Sequence, residues 1–322
     1  MIVKRNDLNI SVCSYVIVDK FLGESLSTSL RNEVAALARK GYMSNNQVQF
    51  GSKRYTKPNI FEVDMHDEKF DKKSCPHFSK IFENRAIVKS LKEQLPELVL
   101  RDDYNAVTIK LQWNRGHGGC FPLHFDNVGR PNKRSLTCAV YLNPDWRKGD
   151  GGELQLFPFL EKPLNVQPLM DRLVIFRSDL LLHRVLPAFK ERFCFTIWID
   201  SDVTNCNDDV FLKSKHLSVS ANPFLKTSPL QRVLSRVIYH NEYKQSIVDC
   251  MGKDTEASKA MLASHLAHVL SLLKNKQVAA FVAVLKKKMK DASSFSSNDT
   301  VQEMSRDDHE SDGDESDEVV LD

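Results

Sequence analysis

The sequence has no features of disulfide-stapled, zinc-knuckle or membrane-spanning proteins. Its seven cysteines are an odd number and form no C-x-x-C pair, which argues against a disulfide framework and favours a reducing compartment. No apolar run approaches the length needed to span a bilayer, and the first residues lack the apolar stretch and cleavage site of a signal peptide. We therefore expect a protein of the cytoplasm, the nucleus or both, with no membrane partner.

Fingerprints of several common enzyme classes are also missing. The chain contains no G-x-S-x-G, no P-loop and no G-x-G-x-x-G, which disfavours hydrolases, nucleotide-binding proteins and dinucleotide-binding proteins. Its 322 residues are 42% hydrophobic and 27% charged, as in an ordinary globular protein. This length allows one large domain or two.

The net charge of +3 is unevenly distributed along the chain. From Thr300 onward there are ten acidic residues and one basic residue, so the preceding part carries a net charge of +12. A positively charged segment of this kind can attract nucleic acid or an acidic peptide. Its lysines and arginines are scattered, however, and a solvated surface is the simpler interpretation. The composition disfavours a nucleic-acid partner but leaves one open.

The first hundred residues have the pattern of a supporting layer. Apolar residues recur at helical spacing from Leu26 to Leu37, and Gly41 is a suitable end for that helix. A second helix is predicted over residues 77–95, before a proline. Residues 44–57 are polar and rich in turn formers, which predicts either a hairpin or a mobile loop that carries substrate contacts.

From residue 104 onward, short apolar segments alternate with turn signals. Eight short strands at this spacing are typical of an antiparallel jelly-roll, whose mouth can hold a small molecule. The predicted fold is mainly β with flanking helices, and its domain covers residues 1–203, with support from 10–100 and a double-stranded β-helix (jelly-roll) core over 104–200. The strands are predicted near residues 104–113, 120–126, 134–142, 152–157, 164–168, 171–176, 181–186 and 191–199.

After Asp200 the pattern becomes helical. We predict a helical extension over residues 204–292 and a disordered acidic tail over 293–322, because the tail has almost no large apolar residues. The helices are expected to pack on the barrel, with dimerisation or partner binding as alternatives. The sequence does not predict an oligomeric state.

The candidate site begins with His124 and Asp126. Two residues apart on a strand, their side chains project from the same face, although an H-x-D pair is common by chance. His183 lies among leucines and valines, where an imidazole must be ligated or hydrogen-bonded; a satisfied core histidine is the alternative. Two imidazoles and one carboxylate can form the facial triad of a non-haem Fe(II) oxygenase, which leaves coordination positions open.

Arg192 follows His183 by nine residues, in an aromatic and β-branched strand. A buried guanidinium needs an anionic partner, and a dicarboxylate co-substrate can supply one through a bidentate pair. The other histidines considered are weaker candidates. His265 and His268 share a helix face without a third ligand, and His66 and His117 are expected in turns.

These residues resemble the prolyl-hydroxylase branch of the Fe(II)- and 2-oxoglutarate-dependent dioxygenases. The order and spacing of His124, Asp126, His183 and Arg192 match the pattern of that family. The chain is similar above all to the oxygen-sensing hydroxylases that modify hypoxia-inducible factor. Further matching segments are Leu136–Asn143, Asp145-Trp146, Gly151–Leu154, Asp171–Leu173, Ser178-Asp179 and Pro187-Ala188.

The resemblance implies an iron site and a co-substrate pocket. It assigns His124, Asp126 and His183 as the catalytic iron ligands. It assigns Arg192, Tyr141 and Thr196 to 2-oxoglutarate and places Trp198 beside the pocket. O2 is the second co-substrate, and L-ascorbate is an optional further cofactor. The implied activity is hydroxylation of a peptidyl proline in a protein or peptide substrate, with succinate and CO2 as co-products.

Other functions stay open at the level of sequence. A lysyl or other side-chain hydroxylase, or a nucleobase demethylase, would use the same chemistry. A non-catalytic jelly-roll binding module would belong to a different class. The chain also departs from the oxygen-sensing hydroxylases upstream of His124, because Trp113 and Asn114 stand where those proteins have a tyrosine for the co-substrate.

Overall fold

The architecture comes from a computed structural model that describes residues 15–50, 52–68, 70–127, 129, 132–203 and 230–304, with side chains as far as Asp291. Within these ranges strands and helices follow one another, joined in places by short 3-10 turns. In chain order they are β1 (Tyr15–Val18), α1 (Glu24–Arg39), β2 (Ser44–Phe50), β3 (Lys53–Asp64), α2 (Pro76–Asn84), α3 (Ala86–Gln94), β4 (Val107–Asn114), β5 (Gly119–His124), β6 (Arg134–Tyr141), β7 (Leu154–Phe157), β8 (Leu164–Val166), β9 (Arg172–Arg177), β10 (Leu182–Ala188), β11 (Arg192–Asp200), α4 (Leu230–Ile238), α5 (His240–Met251), α6 (Glu256–Leu273) and α7 (Lys276–Met304).

The strands form two antiparallel sheets with a shared cavity between them. The major sheet has the order β1-β9-β6-β11-β4-β3-β2, and the minor sheet has the order β5-β10-β7-β8. Side chains from both sheets line the cavity. This arrangement confirms the predicted fold, a jelly-roll core with flanking helices and a C-terminal helical extension.

Alternation along the strands separates the core from the cavity. On β11, Phe193, Phe195 and Ile197 are buried in the apolar core beneath α1, α2 and α3. The intervening residues of β11 line the cavity, starting with Arg192. Because side chains alternate with period two, one face of the major sheet is apolar core and the other is a site for chemistry.

Helix α1 is fixed at both ends as well as along its length. Its start is held by Asp171, whose carboxylate accepts the backbone N–H groups of Leu22 and Gly23 at 2.8 Å each. Leu30 is fully buried on the sheet. Gly41 follows the helix at φ 72°, a left-handed conformation that favours glycine and ends the helix as predicted.

The helix predicted over residues 77–95 is wrong in one respect, because it is two helices. Arg85 interrupts it at φ 52°. Phe78 and Phe82 are buried before the break, and Val88 and Leu91 after it. In an unbroken helix, Phe82 and Val88 would lie about 120° apart around the axis. The break re-phases the second helix so that both apolar pairs reach the core.

The turn-rich segment at residues 44–57 is a hairpin rather than a mobile loop. β2 pairs with β3 in antiparallel register, with Phe50 opposite Lys53. β3 continues as a long strand and pairs with β4, where Phe61 lies opposite Trp113. The hairpin therefore extends the major sheet at one edge.

The C-terminal helices pack against the minor sheet, as expected. Leu123, Phe157 and Leu182 of that sheet share an apolar cluster with buried residues of α4, α6 and α7. Helix α7 continues to Met304, so the predicted tail start at residue 293 is wrong. No glycine or proline occurs between residues 276 and 304 to end the helix. Residues 305–322 of the predicted tail lie outside the described range. Among the described helices, none is long and apolar enough to cross a membrane.

Candidate active site

Three potential metal ligands converge at one end of the minor sheet. His124 ends β5 and lies opposite His183 of β10 in the strand register. Asp126 follows two residues after His124, and its Oδ1 lies 3.4 Å from Nε2 of His124 and 3.7 Å from Nε2 of His183. One ligand atom from each residue lies within 4.8 Å of the others. In the described part of the chain, no other group of three such side chains forms a comparable cluster.

Backbone carbonyls orient the two imidazoles. Nδ1 of His124 donates to the carbonyl of Pro122 at 2.8 Å, and Nδ1 of His183 donates to that of Leu181 at 3.1 Å. With the proton on Nδ1, each Nε2 carries its lone pair toward Asp126. This is the arrangement in which a second hydrogen bond sets the tautomer of a metal-binding histidine.

Burial keeps His183 neutral. Burial and the neighbouring His124 lower the pKa of His183 to about 4. The ring is therefore uncharged at neutral pH, with one nitrogen available to bind a metal. For Asp126, burial works to raise the pKa of the carboxyl, but His183, His124 and a hydroxyl group together hold that pKa well below its usual range. The cluster therefore offers two imidazole nitrogens and one carboxylate, a donor set that suits divalent iron.

The hydroxyl group beside Asp126 belongs to Thr137, which sequence reasoning did not identify. Thr137 Oγ1 donates to Asp126 Oδ2 at 2.6 Å and lies 2.8 Å from Ser178 Oγ. Thr137 occupies the same face of β6 as Tyr141, four residues along. The period-two pattern of β6 was therefore the signal that could have found it.

Arg192 lies across the cavity from this cluster, on the major sheet. The guanidinium carbon lies 4.9 Å from the centre of the Tyr141 ring, and Nη1 donates to Cys194 Sγ at 3.3 Å. The side chain is buried, yet Nε has no hydrogen-bond partner within the described residues, and no carboxylate there forms an ion pair with it. A buried guanidinium in this state requires an anionic ligand.

All of the site residues predicted from the sequence meet in one cavity of about 150 Å³. Tyr141 is fully buried beside Arg192, and burial raises the pKa of its phenol, which is therefore a hydrogen-bond donor at neutral pH. Thr196 lies two strand positions beyond Cys194 on the same face. Trp198 also lines the cavity, with the Arg134 guanidinium 4.3 Å from its ring.

Glycine at position 152 makes room for Arg192. Gly152 has φ 75°, and a Cβ atom added there would lie 2.9 Å from Cδ of Arg192. The Gly151–Leu154 match noted in the sequence therefore has a local physical meaning. The chain must approach the arginine closely at this point, and only glycine fits.

The side of the cavity formed by the first hairpin was not predicted in detail. Here the lining residues come from β2, β3, β4 and β5, and they are Asn46, Lys57, Glu62, Lys110, Gln112 and Phe121. Trp113 and Asn114, which stand at the position of the expected tyrosine, do not line the cavity. Trp113 donates to Glu191, and Asn114 donates to the carbonyl of Gly119.

The weaker histidine candidates lie elsewhere. His66 packs edge-on against Phe82, and His117 is an exposed turn residue. His265 stacks on His240, with Nε2 2.9 Å from Nδ1 of that ring. None of these three histidines lines the cavity that holds His124, Asp126 and His183.

Comparisons with known proteins place this geometry in a family. The sequence profile of the 2OG-Fe(II) oxygenase superfamily matches residues 110–200. A crystal structure of prolyl 4-hydroxylases from Phytophthora capsici superimposes with a TM-score of 0.75 and 36% identity, over 89% of this chain and 94% of that chain. The chain belongs to the 2OG-Fe(II) oxygenase superfamily, whose members use Fe(II), 2-oxoglutarate and O2.

Two further comparisons are with proteins named as prolyl hydroxylases. The hypoxia-inducible factor prolyl hydroxylase of Caenorhabditis elegans is 27% identical over 194 residues, which are 57% of this chain and 26% of that protein. The chain thus spans about a quarter of the length of the curated relatives it matches. A Trichoplax adhaerens prolyl hydroxylase, solved with a peptide fragment of hypoxia-inducible factor, shares the fold at a TM-score of 0.53 and 24% identity, over 62% of this chain and 89% of that one.

Proposed function

We propose that this protein is an Fe(II)- and 2-oxoglutarate-dependent dioxygenase that hydroxylates a peptidyl proline. The observation that carries the proposal is the pairing, in one cavity, of a His-Asp-His cluster with a buried arginine that lacks an anion. A simple binding module has no need of both. The names of the relatives in Phytophthora and Caenorhabditis support proline as the target.

In this proposal, His124, Asp126 and His183 hold the metal. Their ligand atoms lie close together, and each Nδ1 faces a backbone carbonyl, which leaves Nε2 as the atom that can bind Fe(II). Thr137 holds the carboxylate in place through its hydroxyl group. Three ligands on one face leave positions open for other molecules.

Arg192 binds the distal carboxylate of 2-oxoglutarate, with Tyr141 and Thr196 donating hydrogen bonds beside it. The unpaired Nε of Arg192 and the protonated phenol of Tyr141 fit this role. When bound, iron and 2-oxoglutarate would supply an oxidative decarboxylation that consumes O2, releases CO2, and places one oxygen atom in succinate and the other in the substrate. The apolar walls, such as Phe176 and Leu154, exclude water from the reaction.

Succinate formation tests the catalytic claim. Purified protein is incubated with Fe(II), 2-oxoglutarate and O2, and succinate is measured for the wild type, His183→Ala and His117→Ala. We expect His183→Ala to lose at least about a hundredfold in rate, because one ligand of three is missing, while the exposed control stays near the wild type. Equal turnover by all three proteins would contradict the proposal.

Product analysis distinguishes the target residue. Mass spectrometry of treated peptides shows whether the added oxygen is on proline, lysine or another residue, and treated nucleic acid tests for base demethylation. Failure to take up iron would instead favour a non-catalytic module. Rates with and without L-ascorbate test whether it is required.

We also propose that the protein works in the cytoplasm or the nucleus, with residues 1–203 as its oxygenase domain and the helical extension from residue 204 attached to it. Cys75, Cys138 and Cys194 are buried free thiols among the described residues, which supports a reducing compartment. Imaging of a fluorescent fusion tests the location.

A further inference from the structure

Lys57 is a cation in the active-site cavity without a counter-charge. It lies on β3, and its ammonium lies 4.3 Å from the centre of the Phe121 ring on β5. Phe121 in turn stacks beside His124, with ring centres 6.4 Å apart. Within the described residues, Lys57 forms no ion pair with a carboxylate. The ammonium therefore lies over an aromatic face beside the proposed metal ligands, and Cys250, Glu62 and Asp126 favour its charge without forming an ion pair with it.

The two carboxylates whose charge reaches Lys57 are already engaged. Glu62 accepts a hydrogen bond from the Lys110 ammonium at 2.7 Å and another from the Asn46 amide. Asp126 accepts from Thr137 and faces the two imidazoles. Burial lowers the pKa of Lys57 in spite of both carboxylates, so an additional anion would relieve an unfavourable desolvation.

Lys57 stands at the solvent side of the cavity. Arg192, Tyr141 and Thr196 are buried at the closed end, whereas Lys57 and Phe121 are only partly buried. With one carboxylate of 2-oxoglutarate on Arg192 and the other beside the metal, that molecule has no carboxylate left over. A partner for Lys57 must then come from a second molecule, and the substrate is the molecule that enters from this side.

Building on the function proposed above, we infer that Lys57 is a specificity-determining residue that binds an aspartate or glutamate side chain of the peptide substrate. The acidic residue lies within a few positions of the residue that is oxidised, because Lys57 and the metal ligands share one small cavity. The net charge of the chain before its acidic tail, +12, attracts the same class of peptide over longer distances. The enzyme is therefore selective for acidic peptides.

A library of proteome-derived peptides tests this inference. The full chain is incubated with the library, Fe(II), 2-oxoglutarate and O2, and oxidised peptides are identified by mass spectrometry. We expect them to be enriched in aspartate or glutamate at a fixed offset from the oxidised residue. One such peptide and its counterpart with the acidic residue replaced by its amide are then compared as substrates for the wild type, Lys57→Met and Lys57→Arg.

Lys57→Met should raise the KM for the acidic peptide about tenfold or more, since a charge-assisted hydrogen bond is lost, and should abolish the preference over the amide peptide. Lys57→Arg should restore much of the preference. Lys53→Met is the matched control, because Lys53 is on the same strand but is exposed and paired with Glu256. The preference of the wild type remains a test even if a variant does not fold.

Four results would overturn the inference, and they are distinguishable. Oxidised peptides without acidic enrichment, or an equal loss on both peptides in Lys57→Met, would leave the proposed function standing but remove the role of Lys57. A rise in the KM for 2-oxoglutarate with the acidic preference intact would assign Lys57 to the co-substrate. The absence of any oxidised peptide with the wild type would contradict the proposed function itself.

Discussion

The two sheets that enclose the active site contribute different groups and are supported in different ways. Arg192 lies on β11, a central strand of the major sheet that pairs with β4 on one side and β6 on the other. His124 lies on β5, an edge strand of the minor sheet that pairs only with β10 within the described residues. Arg192 is thus built into the middle of one sheet, whereas His124, a proposed metal ligand, lies on the edge strand of the other.

Helix α5 supports β5, the edge strand of the minor sheet. The backbone N–H of Leu123 donates to Ser246 Oγ at 3.0 Å, and Cys250 Sγ donates to the carbonyl of Cys120 at 3.1 Å. Arg184 of the neighbouring strand donates to Asp249 at 3.3 Å. An exposed strand edge is a row of unsatisfied backbone groups, and here side chains of a helix take the place of the missing strand. The metal side of the site therefore depends on residues more than a hundred positions downstream.

The largest expected effect comes from removing that support. A chain that ends at residue 203 would expose the apolar residues Leu123, Phe157 and Leu182, which pack against the C-terminal helices. Burial of each large apolar side chain contributes about 1.5–3 kcal/mol, so the loss approaches the whole stability of a domain, about 5–15 kcal/mol. We expect no cooperative thermal unfolding by circular dichroism.

The matched control for that truncation ends at residue 304 and removes only the acidic tail. It should unfold at the temperature of the full chain. If the chain of 203 residues unfolds cooperatively and binds metal as tightly as the full chain, the minor sheet does not depend on the C-terminal helices. The proposed difference in support between the two sheets would then be wrong.

A smaller effect is expected at the co-substrate end. Gly152→Ala should raise the KM for 2-oxoglutarate by about tenfold or more, because the new Cβ would displace Arg192, a partner in a charge-assisted hydrogen bond. Metal affinity should change little. Gly149→Ala is the control, since Gly149 also has a left-handed φ of 103° but has open space around its Cβ position.

Both glycine variants carry the same kind of backbone strain, about 1–2 kcal/mol. Only Gly152→Ala also places a Cβ atom too close to the side chain of Arg192. Steady-state kinetics and a metal titration on both variants separate the two effects. Equal KM values for the variants would show that Arg192 does not need the space at Gly152.

The opposite pattern, weaker metal binding with an unchanged KM for 2-oxoglutarate, is expected for a change beside β5, the strand that carries His124. Ser246→Ala leaves the N–H of Leu123 without its partner, a loss of about 1–3 kcal/mol for a buried backbone group. We expect a lower melting temperature and a several-fold weaker affinity for Co(II), measured by absorption titration, because β5 positions His124. The KM for 2-oxoglutarate should stay within about twofold.

Ser29→Ala is a suitable control for the serine variant. Ser29 is exposed on α1, and its hydroxyl group bonds only to the carbonyl of Ser25. A metal affinity for Ser246→Ala equal to that of the control would mean that β5 holds His124 without the help of α5.

The smallest expected effect is the contribution of one histidine in the C-terminal helices to the pH dependence of stability. Burial, together with His240 and Arg236, lowers the pKa of His265 to about 4, whereas an unfolded histidine has a pKa near 6.5. Between these values the unfolded chain binds more protons, so stability falls as the pH decreases from about 6.5 toward 4. Above about 6.5 the contribution is fully present.

Thermal unfolding at pH 7 and pH 5 measures this effect. His265→Phe, which keeps an aromatic ring against Tyr243, should lose less stability on acidification than the wild type. An identical loss in the two proteins would place the acid-sensitive group elsewhere.

The sequence was most informative where local pattern determines position. The family resemblance, which is carried by short local motifs, was sufficient to assign Tyr141 and Thr196 to the cavity, and an H-x-D pair on a strand places two side chains on one face. The break at Arg85 was not predictable from periodicity alone, because it depends on how two apolar pairs reach a common core. The same holds for Lys57, since β3 enters the site only through its non-local pairing with β4.

Contacts between distant segments were the least predictable. Nothing in the local sequence around Ser246 indicates that its hydroxyl group meets the N–H of Leu123, 123 positions away. Such pairs depend on the final packing of helices on sheets, which single-residue patterns do not encode. The fold and the identity of the three residues that cluster in the cavity were therefore predictable, and the support of those residues was not.

The position of β1 in the major sheet has a consequence for synthesis of the protein. β1 is the first described strand, yet Tyr15 pairs with Phe176 on β9. β1 cannot pair until β9 has emerged from the ribosome. The hydrogen bonds of β5 with Ser246 and Cys250 form later, because α5 is synthesised after β9. During translation the nascent chain therefore cannot complete its major sheet until β11, the last of its strands, has emerged. The strand that carries His124 gains its support later still, after about three quarters of the 322 residues have emerged.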